Sequence, residues 1–379
     1  MDADISPPPS KRRRLMRDSE TSETAPNEIT ERRESANAQY IWVYSWNING
    51  IKPFLQSPLT AYFKSSANKK LKPTSEASPA SIREFLRRHQ WPQILCLQEI
   101  KIGPSDDQVL RALKRAVNIG CGSNEPTYEV FANLPRDPFN AQGPGSKRRI
   151  YGVACVVRSD FHGKYVSRVR TVDWDAEGRF AVIEIHDPTT DAKLSIWNVY
   201  AVNGTSSEYR DPRTGEVAGT RHDRKLAVHK LMMEECLKLE REGWSILIIG
   251  DLNVAPSRID GHPNLREFPR QHVINREDFN TRFLEPGNVG GFRGIDVWRA
   301  LRGTERKYTY YPRSIPWGSS CDRVDLAIAS RNLMSVHNNW KIVGCEIWNT
   351  KQERGSSDHC PISVTIKTVK GADSSEGAA

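Results

Sequence analysis

No stretch of this 379-residue chain approaches the roughly 18 consecutive apolar residues of a membrane-spanning helix, so no membrane partner is expected. Its charged, Pro-rich start has no apolar segment, which argues against a signal peptide. Cysteine is sparse and unpatterned: Cys96, Cys121, Cys155, Cys236, Cys321, Cys345 and Cys360. An odd, scattered set without CxxC spacing argues against a disulfide framework or a zinc site, and for a reducing compartment. Hydrophobic residues make up only 37%, below a compact domain's usual share, so disordered arms are expected. No internal repeat is evident.

Charge is what the chain has in excess. The formal net charge is +9, yet residues 1–38 carry 7 Lys/Arg against 8 Asp/Glu, so the remainder carries about +10. A basic body suits a polyanionic partner such as nucleic acid; ordinary solubility charge is the alternative. Residues 1–38, rich in Ser, Pro, Glu and Arg, read as a disordered tail. Their run Lys11 to Arg14 fits either a nuclear localisation signal or a solvated basic patch. Residues 370–379 read as a second loose tail. Residues 39–369 read as one folded domain, with a Ser-, Lys- and Pro-rich surface insertion at about 56–78.

Within that domain, short apolar runs alternate with helical patterns. Strands are predicted in "YIWVYSWNI", "QILCLQEI", "YGVACVVRS", "RFAVIEIH", "KLSIWNVYAV", "SILIIGDLNV", "RVDLAIAS" and "HCPISVTI". Gly250 reads as the turn that ends the sixth. "SIREFLRRH" predicts a helix with a capping box between Ser81 and Glu84. "SDDQVLRALKRAVN" predicts another, with Val109, Leu110, Leu113, Ala116 and Val117 as its apolar stripe. A third is predicted in "RHDRKLAVHKLMMEECLKLERE", with Leu226, Met233 and Leu237 aligned. Roughly ten strands and at least three helices predict an α/β fold, two packed sheets with helices outside.

The strand ends carry polar residues. They are Asn47 and Asn49, Glu99, Tyr200 and Asn203, Asp251 and Asn253, Asp325, and Asp358 with His359. Each alone reads as a cap or turn former. Residues two apart on a strand share a face, so Asn47 with Asn49 and Asp251 with Asn253 are expected to project as pairs. Carboxylates gathered at one sheet edge repel unless a cation or protons neutralise them. Oxygen-only ligands suit Mg²⁺ or Mn²⁺.

The segments "SWNINGI", "LQEIK", "YGVACV", "EGRFAVIEI", "NVYAVNG", "GDLNVAPSRID", "RVD" and "SDHCPI" resemble the exonuclease III type of apurinic/apyrimidinic (AP) endonuclease. That family lies within the endonuclease/exonuclease/phosphatase superfamily. The resemblance runs from about Tyr44 to Ile366. It implies a DNase I-like four-layer α/β sandwich, two packed mixed β-sheets flanked by helices. It implies a hydrolase of base excision repair that incises 5′ to abasic sites, with possible 3′→5′ exonuclease or 3′-phosphodiesterase activity. The expected partner is duplex DNA with abasic sites or blocked 3′ ends. A monomer and a nuclear location are expected.

Residue by residue, the resemblance implies a Mg²⁺ site (Mn²⁺ as alternative) from Asn47, Asn49, Glu99, Asp251, Asn253 and Asp358. Asp251 activates or orients the attacking water, and Asn253 contacts the phosphate. Tyr200 and Asn203 lie against the scissile phosphate. Asp325 orients His359, which hydrogen-bonds a phosphate oxygen. Lys52, Lys101, Arg179, Asn203, Tyr310 and Trp317 are expected on the DNA side. Two departures stand out. Asp322 occupies a position where some relatives carry Trp, and "TSSEYRDPRTGEVAGTRHDRK" replaces a compact linker. In it Arg210, Arg213, Arg221 and Arg224 read either as phosphate contacts or as solvated loop charges. Two alternatives stay open: the same chemistry on RNA, a phospholipid or an inositol phosphate, and an inert DNA-binding module.

Overall fold

The structure, a computed structural model, describes residues 40–55, 81–141, 151–335 and 339–368. The tails at 1–38 and 370–379, the basic run from Lys11 and the insertion at about 56–78 lie outside these residues.

Two six-stranded mixed sheets face each other. The first runs, edge to edge, Trp340–Ile347, Ile362–Thr368, Tyr40–Asn47, Ile94–Gln98, Val153–Arg158 and Tyr128–Asn133. The second runs Ile295–Asp296, Asp325–Ala329, Ser245–Asp251, Ala192–Tyr200, Phe180–Asp187 and Val166–Arg170. Alternating side chains explain the layering. One face of each sheet, with Val43, Ile94, Ile196 and Leu247, meets the other sheet. The opposite face of the second sheet, with Trp197, Ile246 and Ile248, packs on Met232, Cys236, Phe279 and Phe283 of the helices Arg221–Arg241 and Arg270–Phe283. The outer face of the first, with Tyr44 and Leu95, meets Phe85, Leu86 and Leu113 of Ile82–Arg88 and Asp107–Ala116. This is the expected four-layer sandwich. Each such fully buried side chain contributes about 1.5–3 kcal/mol.

All eight expected strands are present. Gly250 does not turn; it lies inside Ser245–Asp251 with φ +146°. A Cβ there would sit 2.0 Å from the Val199 carbonyl oxygen, so only glycine lets this strand run beside its parallel neighbour. Two helix expectations shift. Ser81 accepts from the Arg83 amide, but Glu84 pairs with Arg87, so the reciprocal half of the capping box is missing. On Arg221–Arg241 the buried face runs through Lys225, Val228, His229, Met232, Met233, Cys236 and Leu239, while Leu226 and Leu237 flank it.

Topology selects the edge where chemistry collects. Each sheet has one parallel pair near its middle: Tyr40–Asn47 with Ile94–Gln98, and Ser245–Asp251 with Ala192–Tyr200. Both members of a parallel pair end at the same edge. The antiparallel neighbours Asp325–Ala329 and Ile362–Thr368 begin there. Beneath this edge Asn198 crosses between the sheets. It accepts from Gln98 Nε2 at 2.8 Å and donates to the Ala154 carbonyl at 3.0 Å, and Gln98 also donates to Ser45 Oγ at 2.9 Å. This buried polar bridge fixes the sheet-to-sheet register.

Candidate active site

Asn47 closes its strand with its side chain buried, and its Nδ2 donates to Asp251 Oδ2 at 2.9 Å, joining the two sheets. The paired residues Asn49 and Asn253 are not further strand positions. Both lie past the strand ends at φ +49° and +51°. The Asn49 amide donates to Asn47 Oδ1 at 3.1 Å, and the Asn253 amide donates to Asp251 Oδ1 at 2.9 Å. Each strand thus ends in an Asx-type turn, where a side-chain oxygen captures the amide two residues on. The turn replaces strand alternation as the reason the pairs converge.

Asn49 Nδ2 donates to Asp358 Oδ1 at 2.7 Å. Lys101 Nζ donates to Asn49 Oδ1 and lies 3.4 Å from Glu99. Glu99 and Lys101 also hold positive φ, +53° and +54°. Four non-glycine residues in this region around one cleft are costly, at about 1–3 kcal/mol each, and persist only where the surroundings over-determine them.

Opposite stands a buried pair. His359 Nδ1 bonds Asp325 Oδ2 at 2.7 Å, with Nε2 3.9 Å from Asp251 Oδ2. Thr309 Oγ1 accepts from the Asp325 amide at 3.0 Å, and the Tyr310 ring lies 5.0 Å from the imidazole. Burial opposes the imidazolium, but Asp325, Asp251 and the Asp325 hydrogen bond outweigh it and push His359 up to about 10. Burial also pushes the Asp251 carboxyl up to about 7, against the stabilising influence of His359, Asn47 and the Asn253 amide. Burial holds the Tyr200 hydroxyl well above its ordinary range, so it remains a donor.

One cleft joins Asn47, Glu99, Tyr200, Asn203, Asp251, Asn253, Tyr310, Asp358 and His359. Asn253 Nδ2 is taken by the Ala201 carbonyl at 2.9 Å, so it braces the loop beside Asp251. Lys52 is exposed and lies outside the cleft lining. Trp317 stacks flat on Tyr311 at 3.8 Å, under the Arg354 guanidinium, and does not line the cleft. Arg179 is a correction to the expected DNA side. It is 2% exposed, donates to Glu177 Oε2 at 2.9 Å, and lies 3.8 Å over Tyr151 and 4.8 Å over Tyr200. A guanidinium so enclosed positions Tyr200 and cannot reach a phosphate. Arg221 is likewise taken by Glu177, and Arg224 lies over Tyr209. Arg210 pairs with Glu208; Arg213 stays exposed.

The reading of strand ends missed Lys225, Arg266, His272 and Arg276, which wall the same cleft. The available signal was Lys225 itself, a cation in register with Val228, His229 and Met232 on a buried helix face.

A divalent cation fits the donor chemistry on one side. Glu99, Asn49 and Asp358 offer hard oxygens, and the Lys101 ammonium already bridges two of the three residues. Among the described residues, Asp251, Asp325 and His359 offer ligand atoms that all lie within 4.8 Å of one another. This group is the poorer cage, because Asp325 Oδ2 and His359 Nδ1 already bind each other.

Comparisons with known proteins bear on the fold and the family. Two curated relatives are DNA-(apurinic or apyrimidinic site) endonucleases. The Dictyostelium discoideum protein is 22% identical over 333 residues, 86% of this chain and 70% of the relative. The Plasmodium berghei protein is 25% identical over 173 residues, 39% of this chain and only 32% of the relative. Among solved structures, the APE2 catalytic domain of Xenopus laevis aligns with a TM-score of 0.56 at 19% identity, covering 88% of this chain and 94% of that one. The AP endonuclease LMAP of Leishmania major gives 0.58 at 16%, covering 92% and 97%. A family model described as the Endonuclease/Exonuclease/phosphatase family matches residues 44–359. The chain belongs to the endonuclease/exonuclease/phosphatase family.

Proposed function

We propose that the protein is a metal-dependent DNA phosphodiesterase that incises duplex DNA 5′ to abasic sites, with 3′→5′ exonuclease or 3′-phosphodiesterase action at the same site. The observation that carries the reading is the Asp251–His359 pair. A carboxyl pushed up to about 7 faces an imidazole pushed up to about 10, and each is fixed by its own partner. One is poised to accept a proton near neutral pH, and the other to hold one.

In-line hydrolysis needs both. Asp251 takes the proton of the attacking water as its oxygen bonds to phosphorus and the P–O3′ bond breaks, the departing 3′ oxygen taking up a proton from solvent. His359, charged and held at Nδ1 by Asp325, donates from Nε2 to a nonbridging phosphate oxygen as charge builds there. Tyr200, kept protonated by burial and seated by Arg179, supplies a second donor. Glu99, Asn49 and Asp358 would hold the divalent cation, which when bound supplies Lewis-acid stabilisation of phosphate charge. The two relatives named as AP endonucleases favour abasic DNA as the substrate. Action as a monomer in the nucleus, where the Lys11–Arg14 run would direct it, belongs to the same proposal.

The test is a duplex with one tetrahydrofuran abasic analogue, in Mg²⁺ or EDTA, with wild type, Asp251→Asn and His359→Ala. Wild type is expected to cut 5′ to the analogue only with metal, and both variants to lose nearly all activity. Equal cutting by His359→Ala would sink the mechanism. Cleavage of a lipid or inositol phosphodiester but not of this duplex would replace the substrate.

A further inference from the structure

One carboxylate in the cleft lacks a donor. Asp322 and Val324 both line the cleft, while Arg323 between them turns the other way, onto Asp260 and Asp296. Residues two apart in extended chain share a face, which accounts for the alternation. The Tyr310 amide donates to the Asp322 carbonyl at 2.8 Å, the Asp322 amide donates back at 3.2 Å, and the Tyr310 ring lies 5.0 Å from the His359 imidazole. Asp322 is thus one backbone pairing away from the residue that flanks His359. On its other side it pairs with Gly261, where a Cβ would come within 2.8 Å of Leu265 Cα. The chain after Gly261 therefore folds back closely, and Leu265 and Arg266 line the same cleft.

The other acids of the site are answered. Asn47 and the Asn253 amide donate to Asp251, Asn49 donates to Asp358, His359 binds Asp325, and Lys101 faces Glu99. The Asp322 side chain is only 15% exposed, and its counter-charge, the 61% exposed Arg266, stands 3.7 Å away, beyond hydrogen-bond length. Among the described residues no donor reaches this carboxylate. Burial lifts its carboxyl above the ordinary range in spite of Arg266 and Arg276. A half-buried acceptor without a donor carries a desolvation cost that a bound donor can offset. An ionised carboxylate only accepts hydrogen bonds. Within a DNA strand the 3′ and 5′ oxygens of a deoxyribose are esterified, so an abasic sugar in its ring form brings a single donor, the hydroxyl that replaces the base at C1′. We propose that Asp322 is a specificity-determining residue, which accepts a hydrogen bond from that C1′ hydroxyl. The inference rests on the proposed phosphodiesterase reading and deepens it, because it names the group by which the substrate is told apart from an analogue without it.

Paired substrates test it. One duplex carries a natural abasic residue and the other the tetrahydrofuran analogue, which has only hydrogen at C1′. Both are cut in Mg²⁺ and scored as product ending in a 3′ hydroxyl, which leaves out strand loss by spontaneous elimination. Wild type is expected to favour the natural residue by about tenfold or more in kcat/KM, the scale of a hydrogen bond to a charged acceptor. Asp322→Leu should bring that ratio to about one. Asp322→Asn, which keeps the shape and a carbonyl acceptor without the charge, should retain part of it. The ratio is taken on one protein sample, so loss of folded enzyme cancels, and a merely structural role for Asp322 would leave it at the wild-type value. A wild-type ratio near one, or a ratio unchanged in Asp322→Leu, overturns the contact and leaves the phosphodiesterase reading intact. Failure of wild type to cut either duplex in Mg²⁺ overturns that reading, and the contact with it.

Discussion

Glu177 offers a direct measure of how Tyr200, which lines the cleft, is held. Its carboxylate is buried between two guanidinium groups, Arg179 at 2.9 Å and Arg221 at 2.7 Å. Burial alone would raise its carboxyl; Arg179 and Arg221 reverse that and hold it down to about 2, against an ordinary 4.5. That displacement corresponds to roughly 3 kcal/mol favouring the charged form in the folded state. Glu177→Gln keeps the shape and removes the charge, leaving two buried cations uncompensated. The expected loss is therefore about 3 kcal/mol, within the range for breaking one side of a buried ion pair. With urea slopes of about 1–3 kcal/mol/M, the unfolding midpoint should fall by about 1 M or more. The pH dependence has a definite sign. A lowered carboxyl contributes fully above about pH 4.5, and its contribution fades as the pH falls toward 2, so the gap between wild type and variant should narrow across that window. Because Arg179 lies over Tyr200 and donates to the Tyr200 carbonyl, kcat should fall as well. An unchanged urea midpoint at neutral pH would refute the assignment of Glu177 as the anchor.

Asp325→Asn should cost about a hundredfold or more in kcat, as loss of a preorganised electrostatic partner does. In metal-free protein, NMR titration should find the wild-type His359 imidazolium persisting toward pH 10, since a raised imidazole is charged below its shifted value, and the variant losing it at lower pH. Chelation should abolish cleavage and Mg²⁺ restore it, while Glu99→Gln should weaken Mn²⁺ binding measured by electron paramagnetic resonance. Glu99→Gly should be about 0.5–1 kcal/mol more stable than Glu99→Ala, because only glycine adopts φ +53° without strain; the opposite order would contradict the strain. Asn198→Ala should cost about 1–3 kcal/mol by leaving the buried Gln98 amide without its partner, read by urea denaturation.

How far the chain could be read follows from burial. The eight strands legible in the sequence include the four central ones of each sheet, where both faces are covered and apolar runs are continuous. The overlooked ones are mainly edges: Tyr128–Asn133, Val166–Arg170 and Trp340–Ile347. Val166–Arg170 has no fully buried residue, and with Arg168 and Arg170 inside it an edge strand resembles a polar loop. Asp251, Asp325 and His359 were legible because a polar residue at the end of a buried run is conspicuous. Arg179 was misread because a cation in a nuclease-like motif suggests phosphate, although Glu177 two residues earlier is its actual partner. Lys225, His272 and Arg276 were missed because a polar or charged residue on a helix normally reads as solvated. Only the packed helix shows that Lys225 lies on the covered face.

The convergence of the site has one cause repeated twice. In each sheet a central parallel pair sends its ends to a common edge, and in each sheet one of those strands ends on a side chain that captures the amide two residues on. Asn47 does so for Asn49 and Asp251 for Asn253, and Asn47 donates to Asp251 across the gap between sheets. An isolated Asx turn is common and says nothing about chemistry. Two of them, locked to each other through a buried hydrogen bond above the Gln98–Asn198 bridge, cannot move independently. Moving one sheet relative to the other displaces Asp251 from His359, because Asp251 belongs to the second sheet while His359 precedes a strand of the first. The sandwich interface is therefore the element that sets the 3.9 Å separation between Asp251 and His359.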